Sequence, residues 1–80
     1  MATAIITGGS AGLGLLFAEA LAERGLDLIL IARDKARLKQ VCRDLAGRYH
    51  VAVEPIAIDL ADPDNAEIIA KVISKTKDLL

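Results

Sequence analysis

At 80 residues the chain is one small domain or a portion of a larger one, and ten basic against eleven acidic residues leave a net charge of −1. Hydrophobic residues make up 54% and aromatics 2%, and no basic tract or aromatic-interleaved patch marks a nucleic-acid surface. The single cysteine, Cys42, excludes an intrachain disulfide, and no apolar run approaches the ~20 residues of a membrane span. No charged leader precedes the first apolar segment, so a cytoplasmic protein without membrane or nucleic-acid partners is expected.

Ala2–Thr7 (ATAIIT) is short, apolar and β-branched and runs into glycines, which reads as a buried strand. From Gly12 to Arg24 the composition is helical, with Leu13, Leu16, Phe17, Ala20 and Leu21 at three- and four-residue spacing as its expected inner face. Gly25 stands where a helix C-cap glycine belongs. Asp27–Ala32 (DLILIA) is a second, almost wholly aliphatic strand. Asp34 can cap a second helix with the inner face Leu38, Val41, Cys42 and Leu45, and Gly47 is expected to close it. Val51–Ile58 is a third strand, and Pro55 within it calls for a sheet edge, because proline donates no ladder hydrogen bond. Asp62-Pro63 opens a third helix with cap and proline in the favoured order, and Ala66, Ile69, Val72, Ile73, Thr76 and Leu80 mark its expected buried face.

The expected fold is therefore α/β: a Rossmann-type parallel sheet in strand order 3-2-1 with flanking helices, a β-α-β-α-β-α half within residues 1–80. Both enclosed helices belong on one face, and the third is expected to cross to the other and lead to a fourth strand beside the first. No fourth strand is read within these 80 residues, and the apolar excess suits surface that meets further protein, so the chain is expected to be the amino-terminal part of a longer domain.

Thr7-Gly8-Gly9-Ser10-Ala11-Gly12-Leu13-Gly14 joins the first strand to the first helix. An early glycine permits a tight turn, a later one lets backbone approach a pyrophosphate, and a further one lets helix and strand pack closely. The helix amino terminus offers unpaired N–H groups and partial positive charge to phosphates, and the Ser10 hydroxyl can add a donor. A glycine triplet alone is weak evidence, but its place at the first strand-to-helix junction of a β-α-β unit gives it meaning. A nucleoside-triphosphate loop would need Lys-Ser/Thr after its last glycine, where Leu15-Leu16 stand.

Thr7, Gly8, Gly12 and Gly14 follow the pattern Thr-Gly-x-x-x-Gly-x-Gly, with Leu13 between the last two glycines, and in this the chain resembles the short-chain dehydrogenase/reductase family. The likeness runs through Ala32-Arg33-Asp34 to Asp59-Leu60. It implies a dinucleotide-binding oxidoreductase, hydride transfer between nicotinamide and a small-molecule carbonyl or alcohol, and a homo-oligomeric whole protein. By the same resemblance the Asp59 carboxylate accepts from the adenine amino group and the Leu60 N–H meets the ring. The bland reading of Asp59 is a loop aspartate competing with Asp62 to cap the third helix. The family's later features, an Asn-Asn-Ala-Gly stretch, a catalytic Ser and Tyr-x-x-x-Lys, do not occur in these 80 residues. The chain is expected to bind cofactor and, by itself, to catalyse nothing.

Cofactor choice turns on the end of the second strand. NAD sites place a carboxylate there for the ribose hydroxyls, and it would repel the extra phosphate of NADP. Ala32 leaves room instead, and Arg33 can make forked, charge-assisted hydrogen bonds to a phosphate, with Lys35 or Arg37 assisting. NADP rather than NAD is expected, unless the Asp34 carboxylate turns inward or Arg33 is merely solvated. The expected cofactor-binding set is Thr7, Gly8, Ser10, Ala11, Gly12, Leu13, Gly14, Arg33, Asp59 and Leu60. No metal ligands are expected, for His50 and Cys42 stand eight residues apart with no second pair. Cys42 reads as a small core residue, and Tyr49 and His50 as a surface turn. The rival reading is a non-catalytic dinucleotide-binding or regulatory module that self-associates. A methyltransferase shares the glycine turn but wants an acidic residue where Ala32-Arg33 stand.

Overall fold

A computed structural model of the chain describes residues 2–8, 11–59 and 61–75. Its elements are β1 (Thr3–Thr7), α1 (Gly12–Glu23), β2 (Asp27–Ala32), α2 (Lys35–Tyr49), β3 (Val53–Ala57), a 3-10 turn (Pro63–Asn65) and α3 (Ala66–Lys75). The three strands form one parallel sheet with β2 in the centre, the expected order. Ala4, Leu28 and Val53 stand side by side across it, as do Thr7, Ile31 and Ile56. The centre falls to β2 because Leu28, Ile29, Leu30 and Ile31 are all buried, and only a strand covered on both faces accepts four consecutive aliphatics. Pro55 sits on β3 at the sheet edge, where its missing N–H faces no neighbouring strand.

Alternation along the strands separates two faces. Leu28 and Leu30 join Ala4, Ala18, Ala22, Leu38, Cys42, Leu45 and Val51 in one core, so α1 and α2 lie on the same face, as right-handed crossovers require. Ile29 and Ile31 turn to the opposite face. Among the described residues α3 is the only α-helix outside the first-face core, and Ile69 and Val72 are its half-buried residues.

Three expectations are corrected. On α1 the inner residues are Ala18 and Ala22, with Leu15 and Leu21 half-buried, whereas Leu13, Leu16 and Phe17 are more than half exposed and Ala20 is exposed too. The helix is apolar nearly all round, so periodicity could not choose a face. The alanines let its backbone approach the sheet and α2 closely, which bulky side chains would prevent. On α2, Gly47 does not close the helix; two further residues continue it to Tyr49, and His50 takes the left-handed cap conformation at φ 56°. Continuing the helix lets Tyr49 pack against the core. On α3 neither Ala66 nor Ile73 is buried, because the 3-10 turn is the only described element whose backbone comes close to it; Thr76 and Leu80 lie outside the described residues.

Gly25 closes α1 as expected. At φ 86° it donates its N–H to Ala22 O at 2.9 Å while Leu26 N–H reaches Leu21 O at 3.2 Å, the paired bonds of a Schellman ending.

Candidate functional site

The carboxyl ends of the three strands are laced together: Gly8 N–H donates to Ile31 O at 2.7 Å and Ile58 N–H to Ala32 O at 3.0 Å. Above them opens a cleft of ≈ 450 Å³. Gly8 and Ala11 contribute from the glycine turn, Ile31 to Asp34 from the end of β2, and Ile58, Asp59 and Ala61 from the end of β3. Ligands of open α/β sheets bind at this end of the strands, beside the strand-to-helix turns.

The glycine turn needs glycine at two described positions. Gly8 and Gly12 have φ of 69° and 59°, where a side chain is strained, and no described atom would meet a Cβ at either within 4 Å. Backbone conformation, not crowding by the described residues, therefore demands them. Ala11 is the N-cap of α1, extended, with no side-chain hydrogen bond to the helix and no acidic residue in the first turn. The other two helical starts cap themselves. Asp34 Oδ1 accepts from Arg37 N–H at 3.1 Å, and Asp62 Oδ1 accepts from Asp64 N–H at 3.0 Å. Among the described residues nothing caps the amino terminus of α1, whose partial positive charge and N–H groups suit an external anion.

Arg33 is exposed on the cleft wall, and among the described residues no ion pair or hydrogen bond engages it. The Asp34 carboxylate, the competing feature, is held by the α2 cap. Asp59 does not cap the third helical segment, since Asp62 does. One Asp59 carboxylate oxygen accepts from Ala61 N–H at 2.9 Å, holding the side chain at the cleft rim.

Of the expected set, the structure brings Gly8, Ala11, Arg33 and Asp59 together in this cleft, with Gly12 at the head of α1. Thr7, Leu13 and Gly14 line a second groove, between the free edge of β1 and α1. Ser10 and Leu60 lie outside the described residues. Ile31, Ile58 and Ala61 were not singled out by sequence; their only signal was their place at a strand end or in the turn that follows one. Cys42 is buried, and desolvation pushes its thiol above the ordinary value, so it is a protonated packing residue. Tyr49 accepts from an Arg48 guanidinium N–H at 3.2 Å through its hydroxyl and packs on the core.

Comparison with known proteins agrees with this geometry. The family model described as short chain dehydrogenase matches residues 2–79. The very-long-chain 3-oxoacyl-CoA reductase of Bos taurus is 38% identical over 61 residues, 76% of this chain and 20% of that protein. A short-chain dehydrogenase from Sphingobium yanoikuyae in complex with NADPH superposes with a TM-score of 0.93 at 37% identity, covering 99% of this chain and 31% of that one. L-Sorbose reductase from Gluconobacter frateurii, complexed with NADPH and L-sorbose, gives a TM-score of 0.84 at 36% identity over 92% of this chain and 28% of that one. The chain spans about a fifth of the curated relative and under a third of the solved structures. A glycine turn with two left-handed glycines, a 3-2-1 parallel sheet and a match along nearly the whole sequence lead to one conclusion: the chain belongs to the short-chain dehydrogenase family.

Proposed function

We propose that the chain binds NADP(H) and forms the cofactor-holding part of an oxidoreductase acting on a small-molecule carbonyl or alcohol. When bound, the nicotinamide supplies or takes the hydride. What carries the reading is one cleft shared by the head of α1 and Arg33, neither of which is capped or paired among the described residues. The described cleft residues suit the cofactor: Gly8 and Ala11, with Gly12 at the head of α1, present backbone to the pyrophosphate, and the family resemblance adds Thr7, Ser10, Leu13 and Gly14 from the same turn. Arg33 holds the phosphate on the adenosine ribose. Asp59 accepts from the adenine amino group, and the Leu60 N–H meets the ring.

Catalytic serine, tyrosine and lysine belong to the whole protein. The one tyrosine here, Tyr49, has Val53 four positions on rather than lysine, and the chain by itself binds without turning over. A cytoplasmic setting, where a reduced thiol such as Cys42 is stable, and a homo-oligomeric whole protein complete the proposal.

The test is calorimetric titration of the folded chain, its fold checked by circular dichroism, with NADPH and NADH. NADPH is expected to bind more tightly, and Arg33→Ala to weaken it by about tenfold or more, the loss of a charge-assisted contact. NADH binding equally well would remove the role of Arg33, and a folded chain that bound neither would overturn the whole reading.

A further inference from the structure

Asp59 is useful as an adenine acceptor only if its carboxylate is held still at the cleft rim, yet it stands in an exposed loop after β3. Its backbone is held from outside the cleft. The Asn65 side chain, at the end of the 3-10 turn and half-buried, donates Nδ2–H to the Asp59 carbonyl at 2.6 Å. Asp62 N–H donates to the same carbonyl at 3.2 Å, and Asn65 N–H in turn reaches Asp62 O at 3.0 Å. With Ala61 N–H on the carboxylate, the Asp59 backbone and side chain are both tied to the segment that follows. Asn65 does not line the cleft, and its side chain is joined to the rim through the Asp59 carbonyl.

We infer that Asn65 is a positioning residue for base recognition: its side-chain amide, locked on the Asp59 carbonyl, sets the carboxylate where it meets the adenine amino group. The amide is suited to this because it reaches back six residues to a carbonyl whose one backbone partner, Asp62 N–H, stands at 3.2 Å, farther than the amide itself at 2.6 Å. An alanine would leave that carbonyl to Asp62 N–H alone and let the loop turn the carboxylate away. The inference rests on the proposed adenine role of Asp59, and the test separates the two.

Binding of NADPH is compared with binding of its deaminated analogue, in which hypoxanthine replaces adenine and a carbonyl replaces the amino donor. The native chain is expected to prefer NADPH by about tenfold, the scale of one hydrogen bond to a charged group. In Asn65→Ala the preference is expected to shrink to about threefold or less, with binding of the analogue nearly unchanged. A general loss of structure would weaken both cofactors alike and keep the ratio. A full preference retained by folded Asn65→Ala would overturn the role of Asn65 and leave Asp59 standing. No preference in the native chain would remove the adenine role of Asp59, and binding of neither cofactor would remove the proposed function with it. Should Asn65→Ala not fold, Asn65→Ser, which keeps a donor of shorter reach, is read by the same ratio and is expected to fall between the two.

Discussion

Gly47 and His50 exchange the roles their identities suggest. A glycine near a helix end reads as a left-handed cap, yet Gly47 is helical and His50, at φ 56°, turns the chain. Tyr49 decides this, since stopping at Gly47 would withdraw its ring from the core it packs against. An interior helical glycine costs about 0.5–1 kcal/mol relative to alanine. Gly47→Ala meets open space and is therefore expected to stabilise the chain by that amount, seen as a higher urea midpoint at unchanged slope. A lowered midpoint would mean that Gly47 caps the helix after all. Gly8 and Gly12, by contrast, were legible one by one, because their spacing in the turn carries a backbone requirement that the structure meets with left-handed φ. Asn65 was not legible: nothing in its neighbourhood announces a contact with a carbonyl six residues earlier.

At the scale of elements, the three helical starts divide by their caps. Asp34 and Asp62 were both readable as caps, and both serve as such. The start of α1 carries Ala11 instead, a poor cap that leaves the helix head open to an anion. Ala11→Asp should therefore act in opposite directions on stability and binding. A side-chain cap is expected to raise the stability of the free chain by about 1 kcal/mol. The added carboxylate, aimed at the phosphate position, is expected to weaken NADPH binding by roughly tenfold or more. Thermal unfolding and calorimetry on the same sample check both. A more stable variant with undiminished NADPH binding would place the phosphates elsewhere.

Over the whole molecule, one surface stands apart. Leu13, Leu16 and Phe17 are 67%, 62% and 56% exposed, and Leu13 and Phe17 border a groove of ≈ 570 Å³ that also takes in Ile5, Ile6 and Leu21 beside the unpaired edge of β1. Apolar surface of this kind binds apolar dyes. Phe17→Glu is expected to reduce dye fluorescence of the folded chain severalfold while changing stability by no more than about 0.5 kcal/mol, as for an exposed position. A large loss of stability would show that Phe17 is packed and the α1 face misread. The same helix limited the sequence reading most, because its composition offered apolar residues in every direction.

What the sequence determined by itself is the local chemistry and the order of the elements. Glycine spacing, aspartate caps, a proline on a strand and continuous aliphatic runs each act within a few residues, and right-handed crossovers turn their succession into the strand order 3-2-1. What the tertiary structure decided is whatever depends on a partner distant along the chain. It selected Ala18 and Ala22 over the larger residues as the inner face of α1, because close approach to the sheet and α2 rewards small side chains there. It carried α2 past Gly47 to seat Tyr49, and it gathered Gly8, Ala11, Arg33 and Asp59 at one end of the sheet. Periodicity reports that a surface is apolar; only packing decides which neighbour it meets.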